Sequence, residues 1–208
     1  MTQRLFFNSD ELTCEVEVLA CTAHEEGFVV TLNATPFHPQ GGGQPFDTGW
    51  IGESRVLRVL QTAEGIAHHV DRALPKGSAW ARVDAERRSL HARLHSAGHL
   101  IGHYGESQGW KPVKAHHWPG ESRVSFSRGE QPKAMEASTI RQALEEWIKA
   151  DKPRHLHVTG EQREVSFGEL AAYSCGGTHV RSLSEIGQVE ILSITEKKGT
   201  LAVSYRVN

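Results

Sequence analysis

Asp84-Ala85-Glu86-Arg87-Arg88-Ser89-Leu90-His91-Ala92-Arg93-Leu94-His95-Ser96-Ala97-Gly98-His99-Leu100-Ile101-Gly102-His103-Tyr104-Gly105 is the stretch where the chain changes its period. Before it, apolar and polar residues alternate. Within it, Leu90, Leu94, Ala97 and Ile101 recur at helical spacing through about Tyr104. Asp84 is placed to cap the first turn and Gly105 to end the last. Arg87 and Arg88 fall in the first turn, where the helix dipole disfavours cations, and they read as solvated. The same stretch carries His91, His95, His99 and His103 at intervals of four. Residues i and i+4 share a helix face, so two such imidazoles can grip one ion. By spacing alone the pairs 91/95, 95/99 and 99/103 are equal candidates, and a solvated polar face is the bland alternative.

A second stretch, Ser174-Cys175-Gly176-Gly177-Thr178-His179, supplies what the helix lacks. Cys175 and His179 can face one another if the chain curls, and Gly176-Gly177 reads as the curl, because glycine tolerates positive φ. Three imidazoles and a thiolate make a tetrahedral N/S set that suits zinc better than a hard cation. The small residues Ser96-Ala97-Gly98 leave room for an ion beside His95 and His99. A buried, inert Cys175 does not fit its glycine-rich surroundings. A nucleophilic cysteine–histidine pair would need a third orienting group and would leave the histidine ladder unexplained.

Upstream, Cys14–Leu19 and Gly27–Leu32 alternate, and Ile51–Leu60, Gly65–Val70 and Ala79–Val83 supply further strand-like runs between turns. Five or six short strands of this kind predict a small β-barrel ending near Asp84. Cys14 and Cys21 lie inside these strands and read as packing residues. Gly41-Gly42-Gly43-Gln44 offers bare backbone N–H donors that suit a phosphate or the ribose of a terminal adenosine, with a plain barrel loop as the alternative. Downstream, Gly109 to Pro119 reads as turns and Arg123–Phe126 as a strand. Lys133–Lys149 reads as an amphipathic helix, His155–Val158 as a strand and Phe167–Tyr173 as a short helical piece. Val189–Ile194 and Leu201–Tyr205 form a hairpin across residues 196–199. The fold class is therefore α+β: an N-terminal small β-barrel over residues 1–84, then an α/β two-layer domain with an antiparallel sheet over residues 85–208. The wall of a pocket is expected from Val113 to Trp118, with His116 its polar contributor.

The composition excludes several classes. Three cysteines without framework spacing fit reduced thiols in a cytoplasmic protein. No run approaches a membrane span and the N-terminus lacks a signal-peptide core, so no membrane partner is expected. A net charge of −2 argues against DNA and against a broad basic surface, and for a small contact with nucleic acid.

An HxxxH on a helix, followed about 80 residues later by CxxxH within CGGTH, resembles the alanyl-tRNA editing family. That family comprises the editing domain of alanyl-tRNA synthetase and the free-standing AlaX proteins. The resemblance extends through Thr35-Pro36-Phe37-His38-Pro39-Gln40-Gly41-Gly42-Gly43-Gln44-Pro45, Val180-Arg181 and Glu185-Ile186-Gly187. The chain leaves no room for an aminoacylation domain, which points to the free-standing form. In the family an apolar pair follows the HxxxH, here Leu100-Ile101, which selects His95 and His99 beside Cys175 and His179 as ligands of Zn²⁺. The resemblance implies deacylation of tRNA(Ala) carrying serine or glycine at its acceptor end. Substrate contacts are then expected from Gly41, Gly42, Gly43, Gln44 and His116, and His116 and Gln44 are the candidates for a catalytic part at a zinc-centred site. Gly98 stands where the synthetase's editing domain usually has Thr, and Gln40 and His38 replace the usual acidic and aromatic residues before the glycines, so amino-acid selectivity is where this chain departs. Two other readings remain: editing of Ser-tRNA(Thr), and a non-catalytic zinc-stabilised RNA-binding module.

Overall fold

The computed structural model describes residues 2–160 and 162–208. The protein is α+β and mostly sheet, with two α-helices among the described residues, α1 (Ala85–Ser107) and α2 (Ala137–Ala150). It divides into two compact units. One runs to Gly41 and resumes over Pro45–Arg88; the other consists of Gly42–Gln44 and Ser89–Asn208.

In the first unit, strands Thr13–His24, Gly27–Leu32, Gly65–Val70, Ser54–Thr62, Gly49–Ile51 and Gly77–Val83 pair in that order, and the last returns to the first to close a ring. Every pairing is antiparallel. The period-two pattern sends Val16, Val18, Val30, Leu32 and Val56 into its core, and a register shift between Val56 and Arg58 turns Val59 inward as well. Cys14 and Cys21 pack against that core from partly buried positions. His68 is enclosed with them: its Nδ1–H donates to the Val30 carbonyl at 3.2 Å, and the Thr35 hydroxyl lies 2.8 Å from its Nε2. Burial pushes the His68 pKa down to about 4.

Arg88 is not solvated. Its Nε donates to Asp47 Oδ2 at 3.0 Å and its Nη2 to the Pro36 carbonyl at 2.6 Å, and the Arg88 and Asp47 side chains are 9% and 0% exposed. The nearby carboxylate outweighs the weak helix dipole. Arg87 donates to the Phe46 carbonyl at 3.1 Å and lies over the Phe46 ring. Asp84 does cap α1, accepting the Arg87 N–H at 3.1 Å.

In the second unit, Val189–Lys197, Thr200–Val207, Arg123–Arg128 and Trp110–His116 form an antiparallel sheet in that order. Arg154–Thr159, Gln162–Phe167 and Tyr173–Ser174 form a smaller one. One core gathers Leu94, Leu100 and Ile101 of α1, Ile140 and Leu144 of α2, and Phe126, Val203 and Tyr205 of the larger sheet.

Four expectations change here. The stretch read as turns contains the strand Trp110–His116, and Pro112 fits because this is an edge strand. Phe167 ends a strand rather than starting a helix. Helix α1 passes Gly105, where a Cβ would come within 2.2 Å of the Phe126 ring, and the turn falls at Gly109, with φ +80°. Helix α2 begins at Ala137, because the preceding segment is tied down extended, Lys133 N–H bonding to the Gln108 carbonyl and its own carbonyl accepting from Trp110 Nε1.

Candidate metal centre

Of the three pairs on α1 that spacing allowed, His95 and His99 are the ones that meet Cys175 and His179. One donor atom from each of the four lies within 4.8 Å of the others, and the group could hold a metal ion. Cys175 Sγ is 3.4 Å from His95 Nε2 and 3.3 Å from His179 Nε2. His103 instead stacks on Tyr173, with its Nδ1 3.5 Å from Glu106, and His91 is fully buried outside the cluster.

The donors are aimed by neighbours. Gln44, itself 0% exposed, accepts the Thr178 N–H on Oε1 at 2.9 Å and donates from Nε2 to Thr178 Oγ1 at 2.9 Å. Its Oε1 is thus fixed as an acceptor. His95 Nδ1, 2.8 Å away, must carry the proton, and the bare lone pair of Nε2 turns to the cluster. Ser96 Oγ takes the Val180 N–H at 3.2 Å and lies 3.0 Å from His179 Nδ1, so His179 also points Nε2 inward. Buried Arg163 holds the Cys175–His179 turn by donating to the Cys175 and Gly177 carbonyls at 2.9 and 2.8 Å. Gly177 serves close approach rather than positive φ: a Cβ there would lie 2.1 and 2.3 Å from atoms of the His95 ring.

Electrostatics favour neutral imidazoles. Burial, with the charges of neighbouring histidines and Arg163, drives the pKa values of His99 and His179 well below the ordinary range. Burial pushes the Cys175 thiol up, while the Gly177 N–H and the Arg163 cation act the other way. A thiol has one hydrogen and faces two imidazole nitrogens, one with its lone pair fixed inward. A cation satisfies all of these donors at once, as a proton cannot.

A cavity of about 400 Å³ opens beside the cluster; Gly42, Gly98, His99, Val113, His117 and Cys175 are among its walls. Gly43, at φ +78°, is pressed to the Trp110–His116 strand, a Cβ there meeting the Ala115 carbonyl oxygen at 2.5 Å. Gly41 is exposed and belongs to the other unit. Gln44 has both ends of its carboxamide engaged, which makes it a positioning residue. His116 does not line this cavity; it stacks on Trp118, with Nε2 3.6 Å from Glu121. His117 takes that place, 1% exposed, its ring stacked on His95 at 4.1 Å and burial lowering its pKa to about 3.

Sequence reasoning missed Arg163, His117 and Tyr205. Arg163 could have been found, since it occupies an inward position of the alternation Arg163, Val165, Phe167, where a charge needs a purpose. For His117 over His116 the sequence carries no signal.

Residues 163–202 match the family described as the second additional domain of threonyl and alanyl tRNA synthetases. The chain is 33% identical over 197 residues to the alanyl-tRNA editing protein Aarsd1 of Danio rerio, covering 82% of this chain and 46% of the relative. It is 30% identical over 195 residues to the alanyl-tRNA editing protein Aarsd1-B of Xenopus laevis, with the same coverage. Against the alanine–tRNA ligase of Halorubrum lacusprofundi it is 31% identical, covering 92% of this chain and 24% of the ligase. The chain spans about half the length of the editing proteins it matches. Among the described residues no helix is long and apolar enough to cross a membrane. The chain is therefore similar over most of its length to alanyl-tRNA editing proteins and to a segment of alanine–tRNA ligases, and its residues 163–202 match the second additional domain of threonyl and alanyl tRNA synthetases.

Proposed function

We propose that this chain is an aminoacyl-tRNA deacylase acting in trans in the cytoplasm, removing serine, and also glycine, from mischarged tRNA(Ala). The observation that carries this reading is the four-donor cluster beside a cavity in a chain similar to alanyl-tRNA editing proteins. We assign residues 1–84 as the glycine-motif barrel domain and residues 85–208 as the editing domain.

We assign the metal as Zn²⁺ on His95, His99, Cys175 and His179. Bonds of about 2.0–2.3 Å to nitrogen and sulfur imply donor–donor edges of about 3.3–3.8 Å in a tetrahedron. The Sγ to Nε2 separations of 3.4 and 3.3 Å match that edge. Such an ion supplies Lewis acidity toward an ester carbonyl or a water. The protein's own part is positional. Gln44 and Ser96 hold His95 and His179 in register, and Arg163 fixes the turn that bears Cys175. The backbone of Gly41, Gly42 and Gly43 offers N–H donors to the terminal ribose or its phosphate. A pocket that relied on size would reject an added hydroxyl poorly, so serine must be distinguished by a polar contact. The small net charge fits a contact limited to the acceptor end.

The test is release of amino acid from Ser-, Gly- and Ala-tRNA(Ala), run beside Ser-tRNA(Thr). Hydrolysis of Ser- or Gly-tRNA(Ala), sparing Ala-tRNA(Ala), is expected. Preference for Ser-tRNA(Thr) would support the threonyl alternative, which the description of the matched domain also names. Protection of the ester without turnover would identify an RNA-binding module.

A further inference from the structure

We propose that His117 reads the amino acid: its Nε2 accepts a hydrogen bond from an N–H or O–H donor of the aminoacyl group lying over the His95, His99, Cys175 and His179 cluster. The inference rests on the reading of the chain as an aminoacyl-ester hydrolase and adds to it a residue and a hydrogen-bond polarity.

The polarity follows from a chain of bonds. The Tyr205 hydroxyl donates to the Leu94 carbonyl at 2.9 Å, which spends its only hydrogen. His117 Nδ1 lies 2.7 Å from the same hydroxyl oxygen, so Nδ1 is the donor and carries the ring proton. Nε2 is then a bare acceptor. No hydrogen-bond partner meets it among the described residues, and His117 lines the cavity. The ring is held on three sides. Its backbone N–H donates to the Gly43 carbonyl at 2.8 Å, and its face stacks on His95 at an interplanar angle of 25°. Gly98 makes the space: a Cβ there would lie 2.3 Å from one carbon of the ring and 2.6 Å from Nδ1. An acceptor held by these contacts on the cavity wall, with no donor among the described residues, is suited to a ligand that brings one.

The amino acid of an aminoacyl ester can bring two such donors, its α-ammonium and, for serine, its hydroxyl. The probes are seryl-, glycyl- and alanyl-adenosine with a 3′ amide in place of the ester, titrated against the metal-loaded protein. Metal content is checked in every variant. His117→Ala should weaken seryl-adenosine amide by about five- to tenfold, the range for one lost hydrogen bond, with metal retained. Loss confined to the seryl probe identifies the hydroxyl as donor; equal loss for all three identifies the α-ammonium. Gly98→Ala, which displaces the ring without removing it, should reproduce the loss. Nitrogen NMR of the imidazole should find the proton on Nδ1 in the wild type and redistributed in Tyr205→Phe. Unchanged affinity in metal-loaded His117→Ala, or a proton on Nε2 in the wild type, overturns the proposal. A wild-type protein that neither binds the probes nor deacylates tRNA overturns the underlying reading instead, and this proposal with it.

Discussion

At Gly177 a missing side chain decides whether the cluster can assemble. Alanine there would place a methyl group 2.1 Å from a carbon of the His95 ring. Gly177→Ala should therefore lose most of its bound metal, read as ions per chain, because the Cys175–His179 turn has to retreat from α1. Arg88 and Asp47 make the opposite case, in which a side chain is indispensable once its partner is present. Arg88→Met should destabilise the first unit by about 3–5 kcal/mol in urea, since it strands a buried carboxylate. Replacing both residues by apolar ones should recover much of that loss. Cys175, His179 and the histidine ladder were legible in the sequence, but spacing left three pairs on the ladder equal, and the family resemblance, with Leu100-Ile101 after the HxxxH, chose His95 and His99. Arg88 was not legible, because its meaning depends on Asp47, whose approach in space no local pattern records.

The helix α1 shows what an element adds to its residues. It is enclosed almost all round from His91 to Gly105, with Leu94, Leu100 and Ile101 turned to the core and His95 and His99 to the cavity. Two periodic patterns share one helix, which is why the helix was plain in the sequence while its end was misjudged. Gly105 reads as a stop and is instead a packing notch for Phe126. Gly105→Ala should cost the second unit about 1–3 kcal/mol by overpacking, measured by chemical denaturation, with the helix content kept. The strand Trp110–His116 was illegible for a related reason. Its proline and paired histidines look like loop chemistry, and only its place at the sheet edge makes Pro112 acceptable.

For the whole molecule, the two units should respond to different reagents. Chelation should lower the melting temperature of the second unit by on the order of ten degrees and leave the first unchanged, seen as a split transition in calorimetry. Acid should act on the first unit through His68. Its pKa is lowered from 6.5 to about 4, so the unfolded chain binds a proton that the folded one refuses. Stability is complete above pH 6.5, falls as pH drops toward 4, and loses roughly 3 kcal/mol over that window. His68→Gln should flatten this slope. The passage of the chain through Gly42–Gln44 has a consequence for heredity. Those three residues are numbered within the first unit and belong to the second. A fragment spanning 85–208 inherits all four donors without Gln44, the group that aims His95, and should bind metal about 10–100-fold more weakly than the whole chain. Recombination at the apparent seam near residue 84 would transmit a centre already impaired, so the two halves of this gene can be expected to travel through evolution as one.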